Sequence, residues 1–148
     1  MRAGCRKPHY QDIRYVPNEL LSRLVGECLY AIEFVLNSYV QFKFEATPGV
    51  GHPVGLTSYV WPVIKSPEGD WYGTDLGYAD AIRKLAPGTV IATTEQTGTG
   101  IRIELDTGTI VIHPRPEAVH VEIAGISGFN DGSRMFWYLG GDSFEDLA

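Results

Sequence analysis

Cysteine is scarce in this sequence: the chain of 148 residues has two, Cys5 and Cys28. Neither belongs to a CxxC pair or a spaced framework, which sets aside a disulfide scaffold and a cysteine-based metal or redox motif. Cys28 lies in an apolar run and is expected as a small buried hydrophobe. Long apolar runs are missing too. The stretch 28–36 is too short to cross a bilayer and is interrupted by Glu33, so no membrane partner is expected. The first residues are basic, yet no apolar segment follows them as a secretory leader requires. The expected setting is a reduced cytoplasm.

Positive charge is the next shortage. The net charge is -6, with 12 basic and 18 acidic residues. Arg2, Arg6, Lys7 and Arg14 stand in the first sixteen positions against Asp12 alone, so the rest of the chain is more acidic still. Such a body repels phosphate backbones, which disfavours nucleic acid as a partner. It suits a basic protein, although surface charge also serves solubility.

Catalytic signatures are absent as well. Gly49-Val50-Gly51-His52-Pro53-Val54-Gly55 does not match GxGxxG, and no βα unit encloses it. No GxxxxGK[ST] occurs, and Gly125-Ile126-Ser127-Gly128 misses the nucleophile-elbow spacing by one residue. Glu33, in LYAIEFV, is the carboxylate most open to perturbation by burial, against an outward position on an alternating strand.

What is present is patterned. At the offset that carries Val40 onto Ile101, Leu21 falls on Ile82, Leu29 on Val90, Phe42 on Ile103 and Phe44 on Leu105. Polar positions match likewise, Lys43 with Glu104 and Glu45 with Asp106. Such agreement in position type predicts a duplicated unit. In the first copy Pro17-Asn18-Glu19 opens a helix displaying Leu20, Leu21, Leu24 and Val25, ended by Gly26. In the second, Thr74 or Asp75 caps a helix displaying Tyr78, Ala81, Ile82 and Leu85, with Asp80 and Lys84 paired across its outer face and Pro87-Gly88 at its end. Strands are predicted at 28–35 and 39–45, then at 89–96 and 101–106, with third strands LTSYVWP at 56–62 and GTIVIHP at 108–114. HVEIAGIS and RMFWYL read as a final hairpin around Asn130-Asp131-Gly132. The apolar RMFWYL suits a central strand or a homodimer interface.

The expected class is therefore α+β: a duplicated helix–strand–strand–strand unit, a largely antiparallel sheet and a C-terminal hairpin. One domain spans 17–141, with copies at 17–64 and 78–115 and the hairpin at 120–139. A basic segment at 1–16 precedes it and an acidic tail at 142–148 follows. Read in order, LVG, YVWPVI, GYADAI, DTGTIVIHP, GISGFNDG and FWYLGGDSFEDL resemble a group of short, acidic bacterial proteins of unknown function. The resemblance runs from about Leu20 onward and implies no catalytic residues.

Two functional readings follow from different classes. Tyr59, Trp61, Trp71, Tyr72 and Tyr78 crowd around KSPEGDWYGTDLGYAD, and Tyr and Trp in loops are enriched at contact surfaces. Together with the acidic body they point to a non-enzymatic binding module for a protein partner, of immunity or regulatory type and without a cofactor. The same rings would also suit the edge of a core beneath a long loop. The alternative is a small metal-dependent enzyme or small-molecule-binding domain in which His113, His120 and Glu122 of HPRPEAVHVE hold zinc with one position open.

Overall fold

A computed structural model of the chain describes residues 16–45, 53–96, 99–113 and 122–138. The basic segment up to Tyr15, the acidic tail at 142–148, His120 and most of the TPGVGHPVG loop lie outside the described residues.

In chain order, a 3₁₀ turn at Leu21–Leu24 precedes strands β1 (Cys28–Val35), β2 (Tyr39–Glu45), β3 (Val54–Ser58), β4 (Val63–Ser66) and β5 (Gly69–Trp71). Helix α1 (Tyr78–Arg83) leads into β6 (Gly88–Gln96), β7 (Gly100–Leu105), β8 (Gly108–Ile112), β9 (Glu122–Ser127) and β10 (Met135–Tyr138). All ten strands form one sheet in the order β10-β9-β3-β2-β1-β6-β7-β8-β4-β5, and each pairing is antiparallel.

Alternation generates these strands. On β2, Val40, Phe42 and Phe44 are buried while Gln41 and Lys43 are half-buried on the other face, and β7 repeats this with Ile101, Ile103 and Leu105. Residues from both flanks of the sheet join a single apolar cluster. The flanks meet at a short seam, where β1 and β6 pair only through Cys28–Thr89 and Leu29–Gly88. Each inner hairpin carries a bulge just beyond that seam, between Leu29 and Ala31 on one side and between Val90 and Ala92 on the other. Bulges bend a strand and increase its twist, so the two flanks splay apart and curl.

The curl is visible in one contact. Trp137 of β10 donates its Nε1–H to Glu95 Oε2 of β6 at 2.6 Å, although β9, β3, β2 and β1 separate them in the sheet. Oε1 of Glu95 accepts the Asn18 backbone N–H at 2.9 Å, and Asn18 is held in turn by Thr93 through a 2.8 Å side-chain bond. The residue is 6% exposed. A single buried carboxylate thus ties the segment before the 3₁₀ turn, the central strand β6 and the edge strand β10.

The α+β expectation is overturned: the structure is mostly β, and no helix–strand unit of the predicted size occurs among the described residues. The two helical segments among the described residues have four and six residues. Asn18 at φ 69° and Gly26 at φ 90° leave room for little more than one turn between them. The Gly26 N–H then bonds Val90 O at 2.8 Å, which draws the chain into the sheet. The second helix starts only after Gly77, because the Asp75 carboxylate accepts the Tyr72 N–H at 2.8 Å and closes a turn instead of capping. Asp80 pairs with Arg83 at 3.4 Å rather than with Lys84.

Three further differences concern strands. The KSPEGDW stretch, expected as a loop, is the β4–β5 hairpin, stabilised because β4 also pairs with β8. The strand expected at 56–62 runs from Val54 to Ser58, where Ser58 Oγ–H donates to Val60 O at 2.6 Å and bends the chain away. RMFWYL supplies an edge strand and not a central one: its apolar character divides between Trp137, turned into the core, and Phe136, turned outward. No helix among the described residues is long and apolar enough to cross a membrane.

The Glu95 clamp has a measurable weight. Glu95→Ala leaves the part-buried Asn18 N–H and the buried Trp137 Nε1–H without these acceptors, and is expected to cost about 2–4 kcal/mol in urea unfolding. Near-UV circular dichroism should lose intensity from the released indole. Unchanged stability would show that β10 is held by its pairing with β9 alone.

Candidate binding site

The bend after Ser58 decides where the aromatic residues go. Beyond it, Pro62 is buried and accepts the hydroxyl hydrogen of Tyr78, whose ring sits in the core at 3% exposure. Burial pushes this hydroxyl well above the ordinary tyrosine range. Tyr78 also packs edge-on against Phe34, with ring centroids 6.3 Å apart. Trp61 covers both, at 5.4 Å from Phe34 and 5.5 Å from Tyr78, with steep interplanar angles. A Cβ on Gly73 would lie 2.3 Å from the Trp61 ring, so the bare backbone of the 72–77 loop closes over one side of the indole. Its remaining surface faces outward, at 44% exposure.

Tyr59 is fixed at the same end of the sheet. Its N–H donates to Ile123 O of β9 at 2.9 Å, and its ring meets that of Tyr39 edge-on at 6.4 Å. Its own burial, then the carboxylate of Glu122, then the neighbouring hydroxyl of Tyr39 hold the Tyr59 hydroxyl above the usual tyrosine range. Between the β1–β2 turn and the 58–61 segment lies a cleft of about 190 Å³, walled by Tyr39, Tyr59 and Trp61 and rimmed by Asn37 and Ser38. Among the described residues none that lines it is charged. The turn forms because Asn37 takes up φ 64°, a conformation its short polar side chain tolerates, and Leu36 is thrust into solvent beside it.

The five aromatic residues singled out by the sequence therefore part company. Tyr59, Trp61 and Tyr72 present surface, at 43%, 44% and 49% exposure. Tyr78 is a core residue and cannot touch a partner. Trp71 is half-buried: its Nε1–H donates to Ser66 Oγ at 3.2 Å across the β4–β5 hairpin, and its ring lies against Gly77. The structure adds residues the sequence did not mark, chiefly Tyr39 as a cleft wall and Leu36 and Leu76 as exposed aliphatic side chains. Apolar side chains beside turn residues, Leu36 before Asn37 and Leu76 before Gly77, were the available signal.

The proposed zinc ligands are placed only in part. His113 is exposed at the end of β8, and Glu122 is half-buried at the start of β9, on the other flank of the sheet. His120 is outside the described residues. Among the described residues no group of three or more histidines, cysteines and carboxylates is disposed to hold a metal. Glu122 instead bears on Tyr59. Glu33 is exposed on β1, the outward position that strand alternation allows, and the carboxylate that is buried is Glu95. Cys28 is half-buried rather than enclosed, because its neighbour Leu29 takes the inward position.

Two substitutions test these placements. Tyr78→Phe removes the bond to Pro62 O and should cost about 1–2 kcal/mol in denaturant unfolding, whereas Tyr72→Ala should leave the midpoint almost unmoved. Glu122→Gln removes a negative charge beside Tyr59, which favours the phenolate, so the Tyr59 hydroxyl should titrate at lower pH than in the parent. Ultraviolet difference titration against a Tyr59→Phe reference reads this. An unshifted titration would place the carboxylate elsewhere.

Comparison of this chain with known protein families, with curated proteins and with solved structures finds no match in any of the three.

Proposed function

We propose that this protein is a non-enzymatic binding module for a basic protein partner, of immunity or regulatory type, acting in the cytoplasm. The observation that carries this reading is the exposed aromatic surface: Tyr59 and Trp61 are held outward on the wall of a cleft of about 190 Å³, and Tyr72 is exposed next to Gly73, whose backbone packs on Trp61. Pockets for metabolites and cofactors usually run to about 300–1,000 Å³. A cleft of this size suits one protein side chain, as an apolar cavity of about 150 Å³ accommodates a benzene ring. Tyrosine and tryptophan contribute large contact area at low entropic cost and dominate binding hot spots.

Charge supports the same reading. The chain carries -6 overall, with all but one of its acidic residues after position 16. A field of that sign speeds the approach of a basic partner and slows that of nucleic acid. The cytoplasmic setting is supported by the unpaired thiol of Cys28.

The test is capture by the tagged full chain, with stoichiometry read by mass spectrometry. One basic protein near equimolar ratio is the expected result, and the Tyr59→Ala, Tyr72→Ala double variant should lose it while melting at nearly the parent temperature. Capture undiminished in that variant would overturn the aromatic end as the interface. Recovery of this chain alone, in pairs, would replace the foreign partner with a second copy.

A further inference from the structure

We propose that the cleft beside the β1–β2 turn seats a single cationic side chain, arginine or lysine, presented by the partner. This inference rests on the binding-module reading and deepens it by naming the chemistry of the anchor. Three features of the cleft carry it.

The walls come first. Tyr39, Tyr59 and Trp61 line the open cleft beside Val35, Val40 and Val60, and the two tyrosine rings stand edge to face with centroids 6.4 Å apart. Ring faces carry the negative part of the aromatic quadrupole and attract a cation within about 6 Å of the centroid. Several rings around one small volume are the arrangement that recognises ammonium and guanidinium groups. Size is the second feature. At about 190 Å³ the cleft matches one side chain and is smaller than the usual metabolite pocket.

Electrostatics is the third. Among the described residues none that lines the cleft is charged, so none of them repels a cation or already neutralises one. Among the carboxylates, Glu122 is near enough to help hold the Tyr59 hydroxyl up. It therefore supplies attraction to a cation resting on that ring. Asn37 and Ser38 at the rim offer oxygen acceptors for N–H groups that a purely apolar slot would leave unbonded. The acidic balance of the chain draws the same class of ligand from a distance.

The experiment uses the full chain and three small probes: N-acetyl-arginine amide, its uncharged isostere N-acetyl-citrulline amide, and N-acetyl-phenylalanine amide. Binding is followed by the indole N–H resonance of Trp61, assigned by its loss in Trp61→Leu. The arginine probe is expected to shift this resonance saturably, with citrulline about tenfold weaker. Glu122→Gln should weaken the arginine probe several-fold and leave citrulline unchanged. Tyr59→Ala should abolish the response without altering the melting temperature.

Equal binding of arginine and citrulline, or a preference for the phenylalanine probe, would overturn the cationic anchor. Such a result would leave the partner reading standing, since an apolar anchor would fill the same cleft. No Trp61 response to any probe at tens of millimolar would overturn the cleft as an anchor site. The partner reading is decided separately, by capture with the Tyr59 and Tyr72 variants.

Discussion

Glu95 is the constraint on which the shape of this protein turns. Its two carboxylate oxygens take N–H donors from Asn18 and from Trp137, groups that lie far from it along the chain. Burying such a group is costly unless its hydrogen bonds are made, and that cost is what gives the contact its specificity. Only a sheet curled enough to bring β10 across to β6 satisfies the indole and the carboxylate together. The same contact anchors the start of the 3₁₀ turn, whose Leu21 and Leu24 then fill the core. Arg23 extends the tether by pairing with Asp131 at 3.1 Å, a partly exposed contact that adds little energy but joins the turn to the β9–β10 connection.

The other flank is closed differently, and the difference creates the candidate site. There the closing group is Tyr78, aromatic rather than ionisable at neutral pH, bonded to a backbone carbonyl and stacked edgewise with Phe34 and Trp61. The neighbouring backbone must bend after Ser58 to offer Pro62 to that hydroxyl. The bend throws Tyr59 and Trp61 outward as it does so. Surface and core are thus coupled: the residues that would meet a partner are positioned by those that pack this flank of the sheet.

That coupling also explains why the exposed rings need not be a liability. Trp61 is pinned on its inner side by two rings and the glycine backbone at Gly73, and Tyr59 by its bond to β9. Rings held in place before binding lose little side-chain entropy on contact, which is the advantage of preorganised hot spots.

Much of the sheet was legible in the linear pattern. Val40, Phe42 and Phe44, and again Ile101, Ile103 and Leu105, alternate strictly with polar residues, and a period of two leaves no choice of buried face. The hairpin turn at Asn37 and the strands on either side of it follow from local chemistry alone. What local chemistry left open were the contacts made across the chain. Helix length was overestimated because Asp75 and Gly26 bond elsewhere, to Tyr72 and to Val90. The β4–β5 hairpin was hidden because its short strands depend on β8 for a neighbour. Burial of Glu95, and the division of five clustered aromatic residues into core and surface, were decided by the curl of the sheet. Alternation is a property of neighbours in sequence, so the sequence by itself determined the strands and their inward faces. Which strand reaches which, and therefore which rings remain exposed, depends on long-range hydrogen bonds, and only the tertiary structure decided that.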